Sequence, residues 1–211
     1  MTARAVYWLA LLAGGSFGIS AGFDLAPAAA IAWKGAGVGL LALWASLQGR
    51  TPDHRLLVAV LAFGALADMV LEVAFVAGAA IFALGHAIAI VLYRRHRDRT
   101  PAKRLLLALP LLALPFLVLP LLPAEWRLPI LAYSLFLVAM AASALASRFR
   151  LAGAGALMFL VSDLLIFLRM GPGAGLPGLG PAIWLLYFGG QALIALGVVR
   201  GLRLDLGLAR R

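Results

Sequence analysis

The 211-residue sequence contains no cysteine. Disulfides, zinc–thiolate sites and thiol nucleophiles are thereby excluded. Charge is scarce too: Asp, Glu, Lys and Arg make up 12% of residues, about half the usual share of a soluble domain. That is too little polar surface to coat a water-soluble fold of this length. Acidic residues number only 8, against 18 Lys and Arg, which leaves a net charge of +10. What fills the chain instead is apolar: 64% of residues are hydrophobic, and mean hydropathy is +1.05. A soluble enzyme, a disordered chain and a secreted disulfide scaffold are all excluded by this composition.

The apolar residues fall into eight runs, each near the roughly 20 residues that a bilayer core of about 30 Å requires. They are Ala5–Gly22, Ala28–Leu47, Leu56–Val73, Val76–Tyr93, Leu105–Leu122, Leu128–Ala146, Leu151–Arg169 and Pro181–Val199. The expected fold is therefore an all-α, polytopic membrane protein of eight transmembrane helices in one domain spanning residues 1–211. Short links make sequence neighbours antiparallel neighbours in space. Ala5–Gly22 reads as a span and not as a cleaved leader, because its removal would break the repeat described below. Basic residues fall in alternate links: Arg4, Arg50 and Arg55, the cluster from Arg94 to Arg104, Arg148 and Arg150, and Arg200 to Arg211. The other side holds only Arg127 and Arg169. This asymmetry places both termini in the cytoplasm. It also accounts for the net charge without nucleic acid, with anionic lipid headgroups as the natural contact for the Arg94–Arg104 cluster. His54 and His96 sit among these basic links and read as solvated surface.

The two halves, approximately 1–100 and 101–211, repeat one another. The third and fourth runs read GALADMVLE and FALGHAIAIVLY; the seventh and eighth read GALMFLVSDLLIF and LLYFGGQALIALG. Each half places an acid late in an outward-going helix, Asp68 and Asp163. Each then places a polar residue after glycine in the next helix, His86 and Gln191. Four spans per half make the repeat parallel, with its axis along the bilayer normal. The loop Met170–Gly180, rich in Gly and Pro, reads as an ordered cap or a lid. The fifth run carries Pro110, Pro115 and Pro120 and is expected to kink. The glycine-rich stretches are packing glycines, since no Lys-Ser/Thr follows to make a phosphate loop.

Ionisable groups at membrane depth are costly and face the bundle interior. At about 1.5 Å rise per residue, Asp68 lies roughly 18 Å and Asp163 roughly 20 Å from the cytoplasmic edge. His86 and Gln191 lie roughly 15 Å, and Lys34 roughly 9 Å, from the outer edge. All five share one layer and are expected to line one cavity, with Lys34 turned inward and paired with an Asp. Glu72 lies one turn beyond Asp68 at the outer rim. Arg169 is expected to snorkel, and Tyr93, Tyr133 and Tyr187 suit an aromatic belt as well as a site.

In this order and spacing the chain resembles the YhhN-type membrane-protein family, whose animal members include lysoplasmalogenases. The resemblance rests on Lys34, the Asp68 segment, Phe82…His86…Tyr93, Tyr133…Met140, Ser162-Asp163 and Tyr187…Gln191. Lys34-Gly35 stands where the family usually has Lys-Pro, and Ala67-Asp68 where it often has Gly-Asp. The resemblance implies hydrolysis of the vinyl-ether bond of a lysoplasmalogen-type lipid, giving a fatty aldehyde and a glycerophospho-ethanolamine or -choline. Such chemistry needs an acid, a carboxylate and water, with no metal, cofactor or nucleophilic Ser. It implies Asp68 and Asp163 as catalytic residues. Lys34, His86, Gln191, Tyr187, Glu72 and Tyr133 would support the site or bind substrate. The expected partners are a lipid substrate and the membrane, and the expected location is the inner membrane of a bacterium. A small transporter or lipid-binding protein would use the same buried acids to hold a cation or a headgroup.

Overall fold

A computed structural model describes residues 2–20, 23, 25–99 and 101–208, the last four as backbone. Gly22, the expected end of the first span, and the cations Arg210 and Arg211 lie outside the described residues. The described chain forms eight α-helices. They are α1 (Ala3–Phe17), α2 (Pro27–Ser46), α3 (Pro52–Leu71), α4 (Phe75–Arg95), α5 (Ala102–Val118), α6 (Ala124–Ala146), α7 (Arg150–Met170) and α8 (Leu179–Leu208). Seven of them are long and apolar enough to cross a membrane. The exception is α1, whose 15 residues span about 22 Å.

Helix ends follow local chemistry. Thr51 caps α3, its hydroxyl accepting from the His54 amide at 3.3 Å, and Pro52 occupies the first turn. The helix therefore starts four residues before the apolar run does. At the other extreme, α8 runs past Val199 to Leu208, because Arg200 and Arg203 end an apolar run without ending a helix. Within α5, Pro110 and Pro115 are accommodated in α-helical backbone, and the break comes at Pro120, in a 3-10 turn over Leu119–Leu121.

Consecutive helices pack side by side from α1 to α4 and from α5 to α8, and the halves meet where α4 packs on α6 and α8 on α2 and α3. Close approach depends on glycine. A Cβ on Gly155 would lie 2.5 Å from the Gly190 carbonyl, and one on Gly190 would lie 2.6 Å from that of Gly155, so α7 and α8 touch backbone to backbone. Trp184 of α8 donates to the Gly14 carbonyl at 2.6 Å and fastens α1. The most enclosed long helix is α8 and the least is α5, which turns Leu106, Leu107 and Leu117 outward.

Polar links gather at the end of the bundle where α3, α5 and α7 begin. Asp53 accepts from Arg95 at 3.0 Å and sits 2.9 Å from His96 Nε2. The backbones of residues 96–98 and 146–148 pair through Asp98 N to Ala146 O and Arg148 N to His96 O. Arg104 spans Asp98 and the Ser147 carbonyl at 2.5 and 2.9 Å. The expectation that His54 and His96 are solvated surface is thus corrected. His54 is 1% exposed, its Nδ1 lying 2.7 Å from Thr51 Oγ1. His96 bridges α3 to the α6–α7 connection. Both belong to helix termini that pack, where the sequence suggests free loops.

Candidate functional site

Asp68 and Asp163 lie late in α3 and α7, and both are buried. Each is held by a tyrosine from another helix. The Tyr187 hydroxyl of α8 donates to Asp68 Oδ2 at 2.7 Å. The Tyr133 hydroxyl of α6 donates to Asp163 Oδ2 at 2.5 Å. Behind each tyrosine stands the polar residue of the repeated glycine motif. Gln191, one turn along α8, donates through Nε2 to the Tyr187 hydroxyl at 3.4 Å. His86 Nε2 lies 3.2 Å from the Tyr133 hydroxyl. The result is two arms of the same composition: carboxylate, phenol, polar residue. Neither tyrosine is a belt residue; Tyr187 is 5% exposed, and Tyr133 is half-buried beside Asp163.

Phe82 and Phe159 wedge the arms in position. Phe82 meets Tyr187 edge-on at 5.8 Å and stacks on His86 at 6.2 Å. Phe159 meets Tyr187 and His86, both at 5.1 Å. Such edge contacts fix ring planes, and hence the direction of the hydroxyls. Ser162 donates to the Ile183 carbonyl at 2.9 Å and locks the rotation of α7 against α8 beside Asp163. Sequence reading names Phe82 only within the family pattern and gives Phe159 no role.

In front of the arms opens a cavity of about 340 Å³. Asp68, Asp163, Tyr133, Tyr187, Lys34 and Glu72 all line it, together with a largely aromatic and aliphatic wall that includes Phe17, Phe75, Phe167 and Trp184. His86 and Gln191 do not line it, which corrects the expectation of one cavity for all five polar residues. They face a separate void of about 10 Å³, shared with Tyr93 and Met140. Phe82 lines both and stands between them, and Phe159 lines the smaller. The Tyr93 hydroxyl and Gln191 Oε1 have no protein partner among the described residues.

Lys34 also departs from expectation. Its ammonium pairs with Glu72, and not with an Asp. A four-carbon stem carries the charge along α3 to the rim, where Glu72 keeps nearly half its side chain exposed. Arg169 lines the same cavity, where the sequence suggests only a snorkelling cation. Its place at the far end of the helix that carries Asp163 was the available signal. The following loop turns through Gly175 and Gly178, both at positive φ, and brings Gly180 and Pro181 to the cavity wall.

The arrangement is chemically specific. It offers two carboxylates within an apolar enclosure, each with one donor among the described residues, on one oxygen. It also places a cation–anion pair and a second cation among the residues around them. The sequence model of the YhhN family matches residues 29–198, from the start of α2 into α8. No curated protein and no solved structure matches the chain.

Proposed function

We propose, from the premise that this chain belongs to the YhhN family, that it is a membrane-embedded hydrolase cleaving the vinyl-ether bond of lysoplasmalogen-type lipids. The observation that carries this reading is the pair Asp68 and Asp163 on one largely apolar cavity. A single-chain lipid would lay its hydrocarbon along the aromatic wall and its headgroup among Lys34, Glu72 and Arg169. A phosphodiester suits the two cations, and an amine suits the carboxylate.

The chemistry uses the carboxylates in turn. The mechanism assigns one carboxyl as the proton donor and the other as its charged partner, the division of roles open to two acids in one apolar site. The acid delivers its proton to the vinyl carbon remote from oxygen. The π pair forms that C–H bond and leaves a cation shared between the neighbouring carbon and the ether oxygen. The charged carboxylate lies against this cation and takes a proton from the water that attacks it. The resulting hemiacetal collapses when the second carboxyl protonates the leaving oxygen and the first takes the hydroxyl proton. One water is consumed, an aldehyde and an alcohol leave, and both carboxyls return to their starting states. Tyr133 and Tyr187 hold one oxygen of each group and leave the other for the substrate.

The setting of this site is part of the same proposal. The domain is one transmembrane unit of eight spans, with α1 as a short eighth and both termini in the cytoplasm of a bacterial inner membrane. The 4+4 repeat is supported by packing: a two-fold axis would exchange the α4–α6 contact with the α8–α2 contact, and both are present.

The test is aldehyde release from a 1-alkenyl lysophospholipid by the purified protein in detergent. Release above an Asp68→Asn, Asp163→Asn control is expected. No release from ethanolamine, choline or headgroup-free substrates by folded protein would transfer the site to cation or headgroup transport, for which the same acids would serve.

A further inference from the structure

At the opposite end of the bundle from the paired carboxylates, a second cavity of about 340 Å³ opens between the first turns of α5 and α7. Its lining is Lys103, Arg104, Leu145, Arg150 and Gly153: three cations and no acid. The first turns of both helices line it. Neither α5 nor α7 has an acidic residue in its first turn or a side-chain cap. Cations there add to the positive end of the helix dipole, an arrangement that disfavours the empty site and favours an anion.

Asp98 is the acid nearest in sequence, and it is already engaged. Its Oδ2 holds Arg104 at 2.5 Å, and its Oδ1 accepts from the Arg99 amide at 2.8 Å. Arg104 is thereby fixed, with a further bond to the Ser147 carbonyl. Lys103 and Arg150 make no ion pair among the described residues. One immobilised guanidinium and two cations without an ion pair among the described residues therefore converge, at two helix starts that lack a side-chain cap, on one concave site.

We propose that this site binds a phosphate group. A membrane source suits the surroundings. Leu106 and Leu107 of α5, one turn from Lys103, are 70% and 72% exposed and offer an apolar flank to an acyl chain. The cavity lies at the end of the bundle that carries most of the basic links, where anionic headgroups concentrate such charge. The site is separate from the proposed hydrolytic centre and stands whether or not that reading holds.

The experiment uses full-length protein in phosphatidylcholine nanodiscs with and without phosphatidylglycerol, with inorganic phosphate and glycerol phosphate as soluble arms. Wild-type protein is compared with a Lys103→Gln, Arg150→Gln variant and with an Arg97→Gln, Arg99→Gln control, which removes two cations that do not line the cavity. Native mass spectrometry and thermal unfolding report binding. Phosphatidylglycerol should be retained by wild type and control and raise their unfolding temperature, whereas the cavity variant should bind roughly 30-fold more weakly, about fivefold per cation. The same pattern with soluble phosphate alone would keep the site and make its ligand a free anion. Equal loss in the control, or equal retention in all three proteins, would reduce the cluster to diffuse surface charge and overturn the proposal.

Discussion

Asp68 and Asp163 differ from an ordinary buried acid in having a single phenolic donor each and an open cavity on the other side. Asp68→Asn and Asp163→Asn preserve size and hydrogen bonding but cannot exchange the proton. Each should lower aldehyde release by about 10²–10⁴-fold. The double variant should lose little more, because groups acting as a unit lose their shared function at the first removal. Size-exclusion profiles and unfolding temperatures separate this outcome from misfolding. Tyr133→Phe deprives both Asp163 and His86 of a partner. A cost of about 1–3 kcal/mol in stability is expected from such orphaned buried groups, measurable by thermal unfolding in detergent. Lys34→Ala acts elsewhere, since its partner is Glu72 at the rim. It should raise KM for a phospholipid substrate more than it lowers kcat, as loss of headgroup binding would.

Among the elements, the α7–α8 pair has the tightest geometry and positions both halves of the site, with Asp163 on one helix and Tyr187 and Gln191 on the other. Gly155→Ala inserts a methyl group 2.5 Å from a carbonyl oxygen of the neighbouring helix. The helices must separate or rotate, so the unfolding temperature and the activity should fall together. Gly15→Ala is the matched control, because a Cβ there meets nothing within 4 Å. It should leave the unfolding temperature unchanged or raise it slightly, as alanine favours helix over glycine by about 1 kcal/mol. Helix ends were the least legible feature of the sequence at this scale. Hydropathy marks where apolar residues stop, whereas a helix stops where capping and backbone bonding stop. Hence α3 begins at Pro52 and takes His54 into the packed interior, and α8 continues through its arginines.

The whole molecule has one basic end and one end with few charges, and the absence of cysteine makes its orientation directly testable. Arg99→Cys and Leu176→Cys each create a single thiol, at exposed positions at opposite ends. The first should react with a membrane-impermeant maleimide only after the cytoplasmic face is opened, and the second in intact cells. Reaction of the Arg99→Cys thiol from outside would invert the proposed topology. The hydrogen-bonded cluster of Asp53, Arg95 and His96 fixes α3 to the end of α4, while the Asp98 and Arg148 backbone bonds join the two halves. The basic links therefore carry structural contacts.

Composition and run length alone determined a helical membrane protein: only helices and closed barrels satisfy their backbone polar groups within hydrocarbon, and unbroken apolar runs of about 20 residues fit the helix and not the shorter, alternating barrel strand. A constant rise per residue also set how far along their helices Asp68, Asp163, His86, Gln191 and Lys34 lie, since distance along a helix axis is a linear function of position. Direction and partnership are not linear in sequence. Asp163 and Asp68 take donors 30 and 119 residues away, and which helix supplies them depends on how the halves pack. Rotation about each helix axis, set by glycine contacts and aromatic wedges, decided that the tyrosines face the acids. It also decided that His86 and Gln191 stand behind them, and that Lys34 reaches the rim to meet Glu72.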